Sequence, residues 1–292
     1  MLQPSTFSIV AFDPGENALG IAVASKFLAV GAVVPWARSG AGAIATQSYA
    51  NTTYGPRGLD LMESGLPAAD ALQSLTAADE EAAQRQAGFV DSSGGSATFT
   101  GSACSPWAGG VHGPGYAIQG NILTGPEVVA AMQAAYLSSN RLFYWRMYDA
   151  LRAGDQAGGD KRGRQSAAIL VVKAGGGYAG FNDRWIDYRV DDHPDPVTRL
   201  GDLLKLHDLY FDKSPLEEQI ILQGESLVRM QRLLTHLGDY SGPLHGEYDE
   251  PTRQALRAFV GRENFEDRVD FATGRIDLPV LDHLYTHFSK LS

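Results

Sequence analysis

The sequence predicts an α+β protein in which two antiparallel sheets are covered by helical layers, followed by a small all-α unit. Three observations predict it. Short apolar runs divided by turn residues fill residues 6–48. Helical patterns arrive in adjacent pairs between groups of strands, which is not the alternation of βαβ units. After Pro194-Asp195-Pro196, strand patterns give way to helical spacing.

The first strand is Thr6-Phe7-Ser8-Ile9-Val10-Ala11, ended by the turn Asp13-Pro14-Gly15. A second runs over residues 19–24 and ends at Ser25-Lys26, and a third apolar run covers 30–36. Residues 54–63 and 67–76 read as helices. Leu59, Leu61 and Met62 give the first an apolar face, Ala68, Ala71, Leu72 and Leu75 the second, and Gly65 separates them. Residues 86–91 and 97–100 flank Ser92-Ser93-Gly94-Gly95 as a hairpin, and 116–122 form a further strand. Helices follow at 126–138, with Pro126 near the first turn, and at 142–153, stopped by Gly154. Residues 166–173 and 178–189 make a last hairpin around Gly175-Gly176-Gly177.

Residues 197–210 read as a helical connector. In the tail, Leu227, Met230, Leu233, Leu234 and Leu237 keep helical spacing up to Gly238. Asp249 or Glu250 opens a second helix, with Pro251 early and Ala255, Leu256 and Phe259 on one face. A third covers 278–288. The expected division is 1–212 and 213–292.

The chain has 292 residues, 44% hydrophobic and 20% charged, the balance of a globular protein. A net charge of -10 argues against a nucleic-acid partner, which needs a basic face. The single cysteine, Cys104, leaves no intrachain disulfide. Met1-Leu2-Gln3-Pro4-Ser5 lacks the basic and apolar regions of a signal peptide. The apolar run 27–37 is too short for a bilayer and holds Gly31 and Pro35. A cytoplasmic location without membrane contact is the expectation.

Several stretches carry a resemblance. They include Thr6–Ala11, Gly20-Ile21-Ala22-Val23-Ala24-Ser25-Lys26-Phe27, Gly40-Ala41-Gly42-Ala43-Ile44-Ala45-Thr46-Gln47 and Arg85-Gln86-Ala87-Gly88. Gln119-Gly120-Asn121, Gly158-Gly159-Asp160, Arg164-Gln165-Ser166-Ala167-Ala168 and Val190-Asp191-Asp192-His193-Pro194-Asp195-Pro196 continue it in order. Together they resemble an uncharacterised bacterial family of the N-terminal-nucleophile (Ntn) hydrolase superfamily. The resemblance implies a four-layer αββα sandwich and a nucleophile that uses its own α-amine as base. It implies no cofactor and no metal. The substrate would be a small amide or peptide. The other reading is an inactive Ntn-like scaffold that binds a ligand or assembles into homo-oligomers.

The candidate nucleophile is Thr6, which shares a strand face with Ser8. Isolated hydroxyls on a half-buried strand are ordinarily structural. Exposing the Thr6 amine requires cleavage of the Ser5–Thr6 bond, for instance by attack of Thr6 on the Ser5 carbonyl. Lys26, between Ala24 and Phe27, is a candidate for proton transfer if partly buried, against the plainer role of a strand-end lysine reaching solvent. Asn121 is the candidate oxyanion donor, against a strand-end turn. Ser25, Gln47, Asp160, Arg164, Gln165 and Ser166 are candidate substrate-binding residues, with Arg164 suited to a carboxylate.

Three other groups favour structural roles. Asp183, Asp187, Asp191, Asp192, His193 and Asp195 are dense but lack EF-hand or zinc spacing, so caps and ion pairs are expected. Cys104 and His112 could pair, but a small buried cysteine is the commoner arrangement. Gly175-Gly176-Gly177 matches no phosphate-loop fingerprint.

The tail has a resemblance of its own. Met230-Gln231-Arg232-Leu233-Leu234, Leu237-Gly238, Tyr240-Ser241-Gly242-Pro243-Leu244-His245-Gly246, Thr252, Ala255 and Ala258-Phe259 resemble a three-helix peptidoglycan-binding domain. Peptidoglycan fragments are the partner this implies. The tail departs from that pattern at His245, where Asp is usual, and at Val260, where Gln is usual.

Overall fold

A computed structural model of the protein describes residues 6–288. The chain divides into two compact units, Met1–Leu204 and Lys205–Ser292. Both are built from antiparallel strands and helices. Eight α-helices occur among the described residues.

The first unit opens with β1 (Thr6–Asp13), β2 (Ala18–Ser25), β3 (Pro35–Arg38) and β4 (Gly42–Ser48). Helices α1 (Tyr54–Glu63) and α2 (Ala68–Ala77) follow, then β5 (Arg85–Asp91), β6 (Ser96–Thr100), β7 (Gly109–Gly113) and β8 (Tyr116–Asn121). Next come α3 (Glu127–Ser138), α4 (Phe143–Gln156), β9 (Ser166–Val172), β10 (Arg184–Val190) and α5 (Pro196–Phe211), which runs across the division. One sheet has the order β10-β9-β2-β1-β8-β7, the other β3-β4-β5-β6.

Strand alternation sorts the side chains into three cores. Phe7, Ile9 and Ala11 of β1 pack with Val128 and Met132 of α3 and Tyr144, Met147 and Leu151 of α4. Val10, on the opposite face of β1, packs with Ile21 and Val23, and with Ala43, Ala45 and Val90 of the other sheet. Ile44, Ala87 and Phe89 pack with Tyr54, Leu59 and Met62 of α1 and Leu72 and Leu75 of α2. Each fully buried large apolar side chain contributes about 1.5–3 kcal/mol.

Two details hold the helices in place. Asp91 reaches from the end of β5 to accept the Ala68 N–H at 2.9 Å, satisfying a first-turn donor of α2. It also accepts the Ser93 hydroxyl at 2.6 Å and the Gly95 N–H at 2.9 Å. Helix α4 continues past Gly154, where a stop is expected from sequence, to Gln156. The glycine serves close packing there, since a Cβ would lie 2.6 Å from Met132 Cγ.

Asp79 is the electrostatic anchor of the α1 and α2 region. Its carboxylate accepts Arg85 Nε at 3.0 Å, Asn51 Nδ2 at 2.9 Å, Tyr54 OH at 3.0 Å and the Glu81 N–H at 2.9 Å. The Arg85 hydrogen bond, opposed by burial, holds this carboxyl well below the usual range. A folded pKa below the unfolded one stabilises the protein above the ordinary Asp range, and that stability is lost as pH falls through the folded value. Asp79→Asn should therefore lower the melting temperature at neutral pH and flatten its decline on acidification. Melts from about pH 7 to about pH 3 check this, and a pH-independent gap from wild type would contradict it.

The second unit holds a three-stranded sheet, which corrects the all-α expectation. Its strands are β11 (Gln219–Ile221), β12 (Val269–Asp270) and β13 (Arg275–Asp277), in the order β11-β13-β12. Strands of two or three residues are too short to display alternation. Helices α6 (Gly224–His236), α7 (Glu250–Arg262) and α8 (Leu278–Phe288) complete the unit. Asp249 caps α7 by accepting the Thr252 N–H at 3.0 Å. Leu227, Met230, Leu234, Leu256, Phe259, Val260, Ile276 and Leu281 form its core.

Candidate functional site

Register assembles what the linear sequence scatters. Thr6 pairs with Asn121 of β8 on one side and with Ser25 of β2 on the other. Ser25 pairs in turn with Ser166 of β9. Paired residues on adjacent strands project to the same face, so Asn121, Thr6, Ser25 and Ser166 form one polar row, roughly 14 Å long. None is more than 2% exposed. The Thr6 hydroxyl donates to Ser25 Oγ at 3.3 Å. The row faces the other sheet and closes one end of the apolar core around Val10.

Behind the row lies a network of buried amides. Gln47, Gln86 and Gln119 are each 0% exposed. Gln47 Nε2 donates to the Thr6 carbonyl at 3.3 Å and to Gln86 Oε1 at 2.8 Å, and its Oε1 accepts the Ser8 hydroxyl at 2.7 Å. Gln86 Oε1 also accepts Asn121 Nδ2 at 2.9 Å. Gln86 Nε2 donates to the Gly120 carbonyl at 2.7 Å and to Thr100 Oγ1 at 2.9 Å. Gln119 Nε2 donates to Ser8 Oγ at 2.7 Å, and its Oε1 accepts Thr98 Oγ1 at 3.3 Å. Gly88 makes room for this, because a Cβ there would sit 2.0 Å from Gln119 Oε1. Buried amides are tolerated only when bonded in this way.

A cleft of about 350 Å³ opens at the same end of the six-stranded sheet. Ser25, Asp155, Asp160, Arg164 and Ser166 supply polar lining, with Phe7, Ala24, Pro194, Pro196 and Val197 as apolar wall. Asp155 Oδ1 accepts Arg164 Nε at 2.7 Å and strengthens the charged form of that guanidinium, against the opposing effect of burial. Asp160 is buried and accepts the Lys26 N–H at 2.6 Å and Arg162 Nη2 at 3.1 Å. Ser166 Oγ accepts the Val30 N–H at 3.1 Å and donates to the Phe27 carbonyl.

Four of the residues expected at a site thus line the cleft, while Thr6, Gln47 and Asn121 lie in the adjoining polar interior. Gln165 ties the cleft loop together. Its N–H donates to the Ser25 carbonyl at 3.1 Å and its Nε2 to Asp192 at 3.1 Å. The partly buried setting expected for Lys26 is absent. The residue is exposed, and its Nζ donates to the Arg164 carbonyl at 3.2 Å. Apolar neighbours in sequence did not imply burial, because the chain leaves the strand at Ser25. The Ser5 side of the expected cleavage point lies outside the described residues.

The remaining groups take structural positions. Asp187 pairs with Arg184 and Arg189, and Asp183 accepts the Gly175 N–H. No group of three His, Cys, Asp or Glu disposed to hold a metal ion occurs among the described residues. The Cys104 thiol, pushed up in pKa by burial, donates to the Arg85 carbonyl, and His112 lies against Ser96. No described helix is long and apolar enough to cross a membrane.

Gln86 was not singled out from the sequence, and Gln119 was noted only as the neighbour of Asn121; the buried amide network joins both to the polar row. Their signal was available: both are amides at positions that alternation turns toward the other sheet.

Residues 6–200 match the model of a family described as "Family of unknown function (DUF1028)". Residues 210–284 match one described as "Putative peptidoglycan binding domain". The crystal structure of protein SPO2555 from Silicibacter pomeroyi, assigned to the same DUF1028 model, is 32% identical. The alignment covers 70% of this chain and 89% of that one, with a TM-score of 0.64. No curated protein matches the sequence.

Proposed function

The chain belongs to the DUF1028 family of unknown function, joined to a peptidoglycan-binding-like domain, and we propose that its first unit is an amide hydrolase of the Ntn type. The reading requires an αββα layering, and it is supported by cores of helix against sheet, sheet against sheet and sheet against helix in the first unit. The observation that carries it is the polar row. A hydroxyl at the head of the first strand stands beside a carboxamide and two further hydroxyls, next to a cleft.

In this reading, removal of residues 1–5 gives Thr6 a free α-amine. The amine takes the Oγ1 proton as Oγ1 bonds to the substrate carbonyl carbon. The resulting oxyanion is held by the Asn121 amide and backbone N–H groups. Collapse breaks the C–N bond, and the leaving nitrogen takes the proton from the ammonium. Water then hydrolyses the Thr6 ester and regenerates the hydroxyl. Arg164 would dock a carboxylate of a small amide or peptide, and the tail, which departs from its family's pattern at His245 and Val260, would bind peptidoglycan fragments weakly or not at all. In the tail, Val260 is fully buried in the core and His245 lies 3.3 Å from Asp249.

Lys26 enters this scheme through the Arg164 loop and not as a base. Lys26→Met should slow turnover by less than ~10²-fold, the lower end for removing a general acid or base. A larger fall in kcat at unchanged KM would assign Lys26 a direct role.

A second reading, the inactive scaffold, draws on one observation: Thr6 is fully buried and hydrogen-bonded in the unprocessed chain. Intact-mass measurement and N-terminal sequencing of purified protein separate the two. A chain starting at Thr6 supports the hydrolase, and a persistent full-length chain supports the scaffold.

A further inference from the structure

We propose that Gln86 is the positioning residue of the Thr6 site, a role that rests on the hydrolase reading above. One side chain in the opposite sheet holds both halves of the machinery. Its Oε1 receives two amide donors, Asn121 Nδ2 at 2.9 Å and Gln47 Nε2 at 2.8 Å. Gln47 Nε2 is the group that also reaches the Thr6 carbonyl at 3.3 Å.

The orientation of the Gln86 amide is fixed by its surroundings. Nε2 faces three oxygens, the Gly120 carbonyl, Thr100 Oγ1 and the Gly109 carbonyl at 3.3 Å, whereas Oε1 faces two NH2 groups. A flipped amide would set oxygen against oxygen and NH2 against NH2. Gln86 and Gln47 are 0% exposed and Asn121 1%, so water does not compete for the bonds at Gln86 Oε1.

The need for such a device follows from the chemistry. A nucleophile that is also a chain terminus sits where strands fray, because its preceding residues are gone. Strand pairing of Thr6 restrains its backbone, yet the reacting amine and hydroxyl need finer control. Gln47 clamps the Thr6 carbonyl from across the interior, and Gln86 clamps Gln47. The same oxygen of Gln86 fixes the amide that would hold the oxyanion. Nucleophile and oxyanion donor are therefore referenced to one atom.

The test uses a chain beginning at Thr6 and Gln86→Met, which keeps length and apolar volume while removing the amide. The expected result is a fall in kcat of about 10²-fold, as for a misplaced reacting group. KM should stay within about twofold, because Gln86 does not line the cleft. The double variant Gln86→Met/Asn121→Ala should lose less than the product of the two single losses, because the part of the Gln86 effect that passes through Asn121 is already gone while the part through Gln47 and Thr6 remains. Should Gln86→Met fail to fold, Gln47→Met removes the clamp on Thr6 and leaves the Gln86–Asn121 bond, and a kcat loss of at least about tenfold at unchanged KM is expected.

A folded Gln86→Met with wild-type kcat, or fully multiplicative loss in the double variant, overturns the positioning role. A loss carried in KM overturns it as well. If the wild-type chain beginning at Thr6 hydrolyses no amide, the hydrolase reading itself fails and this proposal falls with it. That outcome is distinct from an active wild type whose Gln86 variant is unaffected.

Discussion

A chain that begins at Thr6 and carries Thr6→Ala is expected to lose at least about 10³-fold of its amide hydrolysis, since no other group replaces the attacking oxygen. Ser8 does not substitute. It is two residues further along the same face, its hydroxyl is held between Gln47 and Gln119, and in a chain beginning at Thr6 it has no α-amine of its own to serve as base. Ser25 lines the cleft but carries no α-amine of its own. The structural cost of the change is small, because one methyl and one hydroxyl leave the edge of a core whose main contacts come from Phe7, Ile9 and Val10. The lost bond to Ser25 is long at 3.3 Å, and such a bond contributes about 0.5–1.5 kcal/mol at most. Rate measurement with a paired thermal melt checks this. Retained turnover would remove Thr6 from the chemistry.

The largest expected effect on stability lies in the second unit. Arg268 and Asp277 form an ion pair in which the side chains are 2% and 4% exposed, with Nε 2.6 Å from Oδ2. Asp277 also accepts the Ser214 N–H at 3.1 Å. Arg268 Nη1 donates to the Asp208 carbonyl at 3.2 Å and to the Leu209 carbonyl. Asp277→Ala strands the guanidinium in the interior and should cost about 3–5 kcal/mol. That is a large share of the stability of so small a unit, whose burial per residue is limited by its size. Calorimetry should show the second unit melting early, with the transition of the first unit retained. The double variant Arg268→Met/Asp277→Leu should recover much of the loss, because removing both charges relieves the burial penalty. A single variant that melts as wild type would contradict the account of this pair.

Long periodic elements were legible in the sequence. Helices α1, α2, α3, α6, α7 and α8 carry apolar faces at helical spacing, and punctuation by Gly, Pro and Asp249 marks their ends. β7 was not legible, because Gly109-Gly110-Val111-His112-Gly113 offers one apolar side chain and no alternation. The three short strands of the second unit carried too few residues for a period. At the site, Thr6, Ser25, Asn121 and Ser166 were each visible as candidates. Their union into one row was not, because register across four strands is set by tertiary packing that no local pattern encodes. The exposure of Lys26 was not legible for a related reason: nearby Ala24 and Phe27 suggested partial burial, but the side chain turns out where the strand ends.

The central claim is that Thr6, once it is the first residue, hydrolyses amides. The direct measurement is release of amine from a panel of small amides and short peptides by a chain starting at Thr6, compared with the full chain. Hydrolysis by the Thr6-first chain alone, with a burst of acylated protein whose adduct maps to Thr6, is the predicted result. Absence of turnover and of any adduct across the panel, in a Thr6-first chain that melts like the full one, would contradict it.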